Sequence, residues 1–143
     1  MRIVEPVTPQ DYRQYYNLRW KILCAPWKQP RGIERDPSDG DSTHLMAVDE
    51  GHAVVGVGRL HFNTPGEAQI RYMAIATANQ RRGIGTSLLE ALEDRARQLG
   101  ALQLILNARE TALEFYLKHG YEIKGPGHIL FDSIAHVRMK KIL

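Results

Sequence analysis

The chain has 143 residues, which matches one domain and can bury a sizeable core. Its apolar fraction is 43% and its charged fraction 24%, values that argue against a disordered polymer. The net charge of +3 is too mild to mark a nucleic-acid binder, no apolar run is long enough for a leader or a membrane span, and the single cysteine, Cys24, excludes an intrachain disulfide.

The expected address is therefore the cytoplasm, without membrane or nucleic-acid partners. Cys24 could serve as a nucleophile, but no histidine lies near it in sequence, and a buried, inert thiol is the better reading. The charge is unevenly spread. Residues 34–50 hold six acids (Glu34, Asp36, Asp39, Asp41, Asp49, Glu50) and one base (Arg35), so this segment carries −5 and the remaining chain +8. Two fields on one domain can serve a polyanionic ligand at one place and a cationic one at another; a solvated acidic loop is the plainer alternative.

In chain order, Ile3–Val7 alternates weakly and predicts a short strand. Thr8-Pro9-Gln10-Asp11 is a helix start, with a hydroxyl N-cap, proline at the first helical position and an acid in the first turn. Tyr12, Tyr15, Tyr16, Arg19, Ile22 and Leu23 follow at helical spacing until Pro26 and Pro30. Residues 24–43, anchored by Trp20 and Trp27, predict a long loop of the kind that often carries function, with disorder as the competing reading. His44–Val48 and Ala53–Phe62 predict a hairpin through Asp49-Glu50-Gly51, and a turn at Asn63-Thr64-Pro65-Gly66 leads to a third antiparallel strand, Glu67–Ile75. Gly56 and Gly58 point to a bulge or a close backbone approach in the middle strand. Leu88, Leu89, Leu92, Ala96 and Leu99 mark one face of a helix stopped by Gly100. Leu102–Leu106 predicts a central strand, and Thr111-Ala112-Leu113-Glu114 a capping box opening a short helix that Gly120 closes. Tyr121–Lys124 and Ala135–Ile142 are the last strands, separated by Gly125-Pro126-Gly127. The passage from the strand at Glu67–Ile75 through a helix to Leu102–Leu106 is a βαβ unit with parallel strands. The order predicts an α/β (α+β) domain spanning 1–143, a mixed, mostly antiparallel sheet of six to seven strands with helices on both faces.

Gln80-Arg81-Arg82-Gly83-Ile84-Gly85-Thr86-Ser87 lies between a strand and a helix start. Glycines admit a close ligand, the helix terminus offers unpaired N–H groups, and the arginines add charge: a site for phosphate or pyrophosphate. Leu88 stands where a dinucleotide fingerprint has its third glycine, and no lysine occupies the P-loop position. The pattern Gln-x-x-Gly-x-Gly resembles the coenzyme A signature of the Gcn5-related N-acetyltransferases (GNAT). Gln69–Ile75 resembles that family's fourth strand. Asn107, Ala112, Phe115-Tyr116 and Gly120-Tyr121 resemble its second signature. The tail Ala135-His136-Val137-Arg138-Met139 is similar to small bacterial members.

The resemblance implies the acyl-CoA N-acyltransferase fold and transfer of acetyl from acetyl-CoA to an amine of a small molecule or peptide, by direct attack through a tetrahedral intermediate. It implies a pantetheine arm paired with backbone at Met73, Ala74 and Ile75, a pyrophosphate held by Gln80, Arg81, Arg82, Gly83, Ile84, Gly85 and Thr86, and a hydrogen bond from Asn107, whose side chain could also cap a helix. Tyr116 takes the general-acid role, or is a half-buried residue of an amphipathic helix. Where many members carry glutamate on the fourth strand, this chain has Gln69, which cannot serve as a base, so the base falls to Glu67, His61 or His136, with His61 preferred. The acceptor is expected to be a cationic amine met by Trp27, Asp36, Asp39 and Asp41. The histidines lack metal-ligand spacing, so no metal is expected. A homodimer through sheet edges or helices is the assembly the resemblance implies. A non-catalytic acetyl-CoA-binding sensor or interaction module of the same fold is the alternative.

Overall fold

The computed structural model describes all residues, Met1–Leu143. Seven strands and three helices follow in the order β1 (Arg2–Val4), α1 (Pro9–Leu23), β2 (Thr43–Val48), β3 (Val54–Thr64), β4 (Glu67–Ile75), α2 (Ile84–Gln98), β5 (Gln103–Arg109), α3 (Leu113–Lys118), β6 (Glu122–Leu130) and β7 (Ile134–Ile142). The sheet order is β1-β2-β3-β4-β5-β7-β6. Only β4 and β5 run parallel, joined through α2 as the βαβ pattern predicts.

Helix α1 begins as its sequence dictates. Thr8 accepts from the Asp11 backbone N–H, and the Asp11 carboxylate accepts from the Thr8 N–H, a reciprocal capping box. Tyr15 and Leu18 pack with Met46, Val48, Val57 and Ala74 on one face of the sheet. On the other face α2 lays down Leu88, Leu89, Leu92 and Ala96, all fully buried, against Leu60, Ile70, Leu104 and Leu106. Gly58 allows this close approach: a Cβ there would lie 2.7 Å from Leu92 Cδ1. The short α3 adds Tyr116, and Tyr121 follows, both in the same core cluster as α2. Gly100, at φ +95°, turns the chain out of α2.

Several expectations are corrected. Strand β1 stops at Val4, and Val7 is exposed. Leu99 is exposed at the C-cap rather than on the apolar face, and Leu102 precedes β5 with its side chain in solvent. The Thr111 box does not form: residues 110–112 make a 3₁₀ turn, and α3 starts at Leu113 without a side-chain cap. Gly125-Pro126-Gly127 is not the turn between the last strands. It lies within β6, and the chain reverses at Phe131-Asp132, both at positive φ. Strand β6 is the sheet edge, where a proline costs no ladder hydrogen bond that a neighbour needs. The loop at 24–43 contains two 3₁₀ turns, Ala25–Trp27 and Asp39–Asp41. No helix is long and apolar enough to cross a membrane.

Candidate active site

Strands β4 and β5 pair only from Glu67–Ile70 against Gln103–Leu106. Beyond that point they part. The cause lies in β4, where Val57 pairs with Ala74 and Arg59 with Arg71, so two β4 residues face the single Gly58. This is a bulge, and Tyr72 within it has φ +55°. A bulky aromatic in the left-handed region is strained and must be held by its surroundings. Here the holding groups are visible. The guanidinium carbons of Arg19, Arg59 and Arg71 lie 4.2, 5.0 and 4.8 Å from the Tyr72 ring centroid, and its hydroxyl donates to Asp36 Oδ2 at 3.3 Å.

The gap opens into a cleft of about 970 Å³, the size of a small-molecule site. At one end stands the start of α2. Gly83, at φ +80°, is its N-cap and supplies no side-chain cap, so the first-turn N–H groups remain for a ligand. Gly85 lets Phe115 pack 3.4 Å from where its Cβ would be. Arg81, Gly83, Gly85 and Thr86 line the cleft. Thr86 Oγ1 meets His119 Nε2 at 3.1 Å, tying α2 to α3. Gln80 also lines the cleft, but its amide donates to the Ile75 carbonyl at 3.2 Å and anchors the loop to the end of β4. Arg82 and Ile84 do not line it, and the Ile84 side chain is buried against Ala47 and Val55.

The middle of the cleft brings together Met73, Ala74 and Ile75 from β4, Asn107 from β5 and Tyr116 from α3. Gly127 gives Asn107 its room: a Cβ there would lie 2.8 Å from Asn107 Oδ1. The Tyr116 hydroxyl points across at Met73 Sδ, 3.5 Å away, and burial pushes its pKa up, so it keeps its proton at neutral pH.

The base candidates separate. His61 lies outside the cleft, and both ring nitrogens are engaged: Arg59 Nη2 stands 3.3 Å from Nδ1, and Nε2 donates to Asn63 Oδ1 at 3.1 Å. Glu67 accepts from Asn63 and Gln103 at the far end of β4. His136 lines the cleft. Its Nδ1 faces the carbonyls of His128 and Ile134, both at 3.2 Å. Those acceptors fix the proton on Nδ1 and leave the Nε2 lone pair free. Burial, then the stacked His128 ring 4.2 Å away, lowers the His136 pKa and keeps it neutral at pH 7.

The acidic run does not line the cleft. Asp39 meets Arg19 and Arg59 at 3.0 and 3.1 Å, and Asp36 meets Arg59 and Arg71. Burial would raise both carboxyl pKa values, yet for Asp36 the hydrogen bond and charge of Arg59, and for Asp39 the Asp36 N–H with Arg19, hold them below the usual range. These carboxylates answer arginines of their own chain, so the expected cation-binding lobe is corrected. Asp41 is exposed in a 3₁₀ turn. Cys24 is buried, and its thiol pKa is pushed up by burial and the nearby Glu34 charge, which suits an inert thiol.

Trp27 does line the cleft, 4.6 Å below the guanidinium of Arg109. Arg109, Arg71, Tyr72, His128 and Phe131 complete this end, and sequence reasoning did not single them out. Arg109 was two residues from Asn107 and so within reach of the signature. His128 and Phe131 carried no local signal, because the reversal at Phe131-Asp132 uses no glycine.

Comparison with known proteins agrees with this geometry. Residues 12–121 match the acetyltransferase (GNAT) family. The uncharacterized N-acetyltransferase YjcF of Bacillus subtilis (strain 168) is 28% identical over 141 residues, covering 99% of each chain. A GNAT family acetyltransferase from Elizabethkingia anophelis with acetyl-CoA bound superposes with a TM-score of 0.81 at 18% identity, covering 99% of this chain and 97% of that one. An aminoglycoside 6′-N-acetyltransferase complexed with coenzyme A gives the same TM-score, identity and coverage. At such identity these two likenesses speak to the fold. With the family match spanning the phosphate loop, Asn107 and Tyr116, the chain belongs to the acetyltransferase (GNAT) family.

Proposed function

We propose that the protein transfers the acetyl group of acetyl-CoA to a primary amine by direct attack in the cleft between β4 and β5. The observation that carries this reading is the bulge at Tyr72, which parts the two strands between an uncapped helix terminus and the Tyr116 hydroxyl. The pyrophosphate of acetyl-CoA lies on the first-turn N–H groups of α2 with Arg81 beside it. The pantetheine arm runs along Met73–Ile75 and meets Asn107.

The amine nitrogen attacks the thioester carbonyl carbon, and a β4 backbone N–H near Ala74 or Ile75 stabilises the oxyanion. The adduct's ammonium proton is more acidic than that of the free amine, so the neutral Nε2 of His136 can accept it. As the C–S bond breaks, Tyr116 gives its proton to the CoA sulfur. Burial raises its pKa, so the hydroxyl still carries its proton when the thiolate forms beside it.

Release of free CoA over an amine panel is the test. Tyr116→Phe is expected to lower kcat by about 100-fold while leaving the acetyl-CoA Kd nearly unchanged. His136 must be neutral to act, so kcat/KM should fall as pH drops below its depressed pKa, under the ordinary 6.5, and His136→Gln should remove that limb. Full activity of Tyr116→Phe would refute the acid assignment. Tight acetyl-CoA binding without turnover of any amine would favour the sensor.

A further inference from the structure

We propose that the acceptor end of this cleft reads an oxyanion, and that the amine acetylated there carries a carboxylate or a phosphate held by Arg109 with Arg71 beside it. The inference rests on the acetyltransferase reading and names the substrate class of the same site.

Arg109 ends β5, two residues beyond Asn107, and reaches the end of α1. Its Nη2 donates to the Leu23 carbonyl at 2.9 Å, and its guanidinium lies over Trp27. These two contacts fix the fork. They supply no negative charge, and Arg109 makes no ion pair with any carboxylate of the chain. A half-buried guanidinium without a counter-ion is costly to keep, and a planar fork stacked on an indole is pre-organised for a two-oxygen anion.

The surroundings add to this charge. The network behind Tyr72 sets Arg19, Arg59 and Arg71 against Asp36 and Asp39, three cations against two anions, and Arg71 is its cleft-lining member, 38% exposed. Arg71, Arg109 and His128 line the same cleft, and burial, followed by the fields of the two guanidiniums, lowers the pKa of His128. The one carboxylate among the cleft-lining residues, Glu114, is exposed on α3, the helix tied to the phosphate loop. A neighbouring hollow of about 430 Å³ holds Lys124, Arg138 and Lys140, and its only acid, Glu67, is engaged by Asn63 and Gln103. Arg138 pairs with Asn107 in the β5–β7 ladder, two residues along from the Arg109–His136 pair. A polycation would meet repulsion there.

Matched acceptors test the proposal: α-amino acids against their carboxamides, phosphoethanolamine against ethanolamine, and spermidine. The wild type should favour the anionic member of at least one pair by about tenfold or more in kcat/KM. The carboxylate and phosphate arms show which oxyanion is read. Arg109→Gln should abolish that preference, chiefly by raising KM, with the acetyl-CoA Kd held, and Arg109→Lys should restore part of it. In parallel, N-acetylated amino acids should shift the wild-type melting temperature in the presence of CoA more than their amides do. Equal or better use of neutral amines or spermidine would overturn the oxyanion pocket and leave the acetyltransferase reading standing. Failure of every probe to turn over, with acetyl-CoA bound, would overturn both.

Discussion

Asp36, Asp39 and Asp41 look alike in the sequence and differ in what they touch. Asp39 is 9% exposed and shared between two fully buried guanidiniums, Arg19 and Arg59, whereas Asp41 lies in solvent. Removing one partner of a buried pair strands the other charge, so Asp39→Asn should cost about 2–3 kcal/mol in chemical denaturation, while Asp41→Asn should stay within about 0.5 kcal/mol of wild type. Equal stability of the two variants would contradict the network. The same contrast limits what could be read beforehand. Charge counts saw an acidic segment but not its arginine partners, which come from α1, β3 and β4. Tyr116 and Asn107 were legible because their spacing belongs to the family signature. His61 was preferred over His136 because it neighbours β4 in the hairpin, but the hydrogen bonds that occupy both its nitrogens come from side-chain geometry alone.

At the level of elements, α1 announced itself through its capping box, α2 through periodicity, and the βαβ unit through its order. The bulge did not. Gly56 and Gly58 pointed to β3, which does bulge at Val55 beside Gly56, yet the bulge that opens the cleft is in β4, at a tyrosine with no sequence mark of positive φ. The glycines also serve packing. Gly58 sits under Leu92, which is fully buried, so Gly58→Ala must push α2 or the leucine aside. The expected cost is about 1–3 kcal/mol, read from thermal or urea unfolding. Leu92→Ala in the same chain should recover part of that loss as a coupling energy, since the two sites touch. Strict additivity would mean that the contact is slack. The edge hairpin was misplaced for a related reason: Gly125-Pro126-Gly127 has turn composition, but at a sheet edge the same residues can continue a strand.

Over the whole molecule, α1 covers one face of the sheet and α2 with α3 the other, and the cleft lies where the central pair of strands comes apart. Its two ends have different chemistry. Backbone N–H groups at the start of α2 suit a phosphate tail, and Trp27, Arg109 and the β6–β7 hairpin suit the acceptor. The fold class and the glycine loop that opens α2 were legible because local motifs encode them. The acceptor end was not, because α1, β4, β5 and the last hairpin each contribute one or two side chains that are distant in sequence.

The most direct measurement is the melting temperature of the wild type and of Gly83→Glu with rising acetyl-CoA. A Cβ at Gly83 meets nothing within 4 Å, so the variant should fold despite its φ of +80°, with a carboxylate placed at the phosphate N–H groups. The account predicts a wild-type shift equivalent to about 2.7 kcal/mol at 100 times the Kd, lost in Gly83→Glu. No wild-type shift at millimolar acetyl-CoA, or an equal shift in a folded Gly83→Glu, would contradict the placement of acetyl-CoA in this cleft.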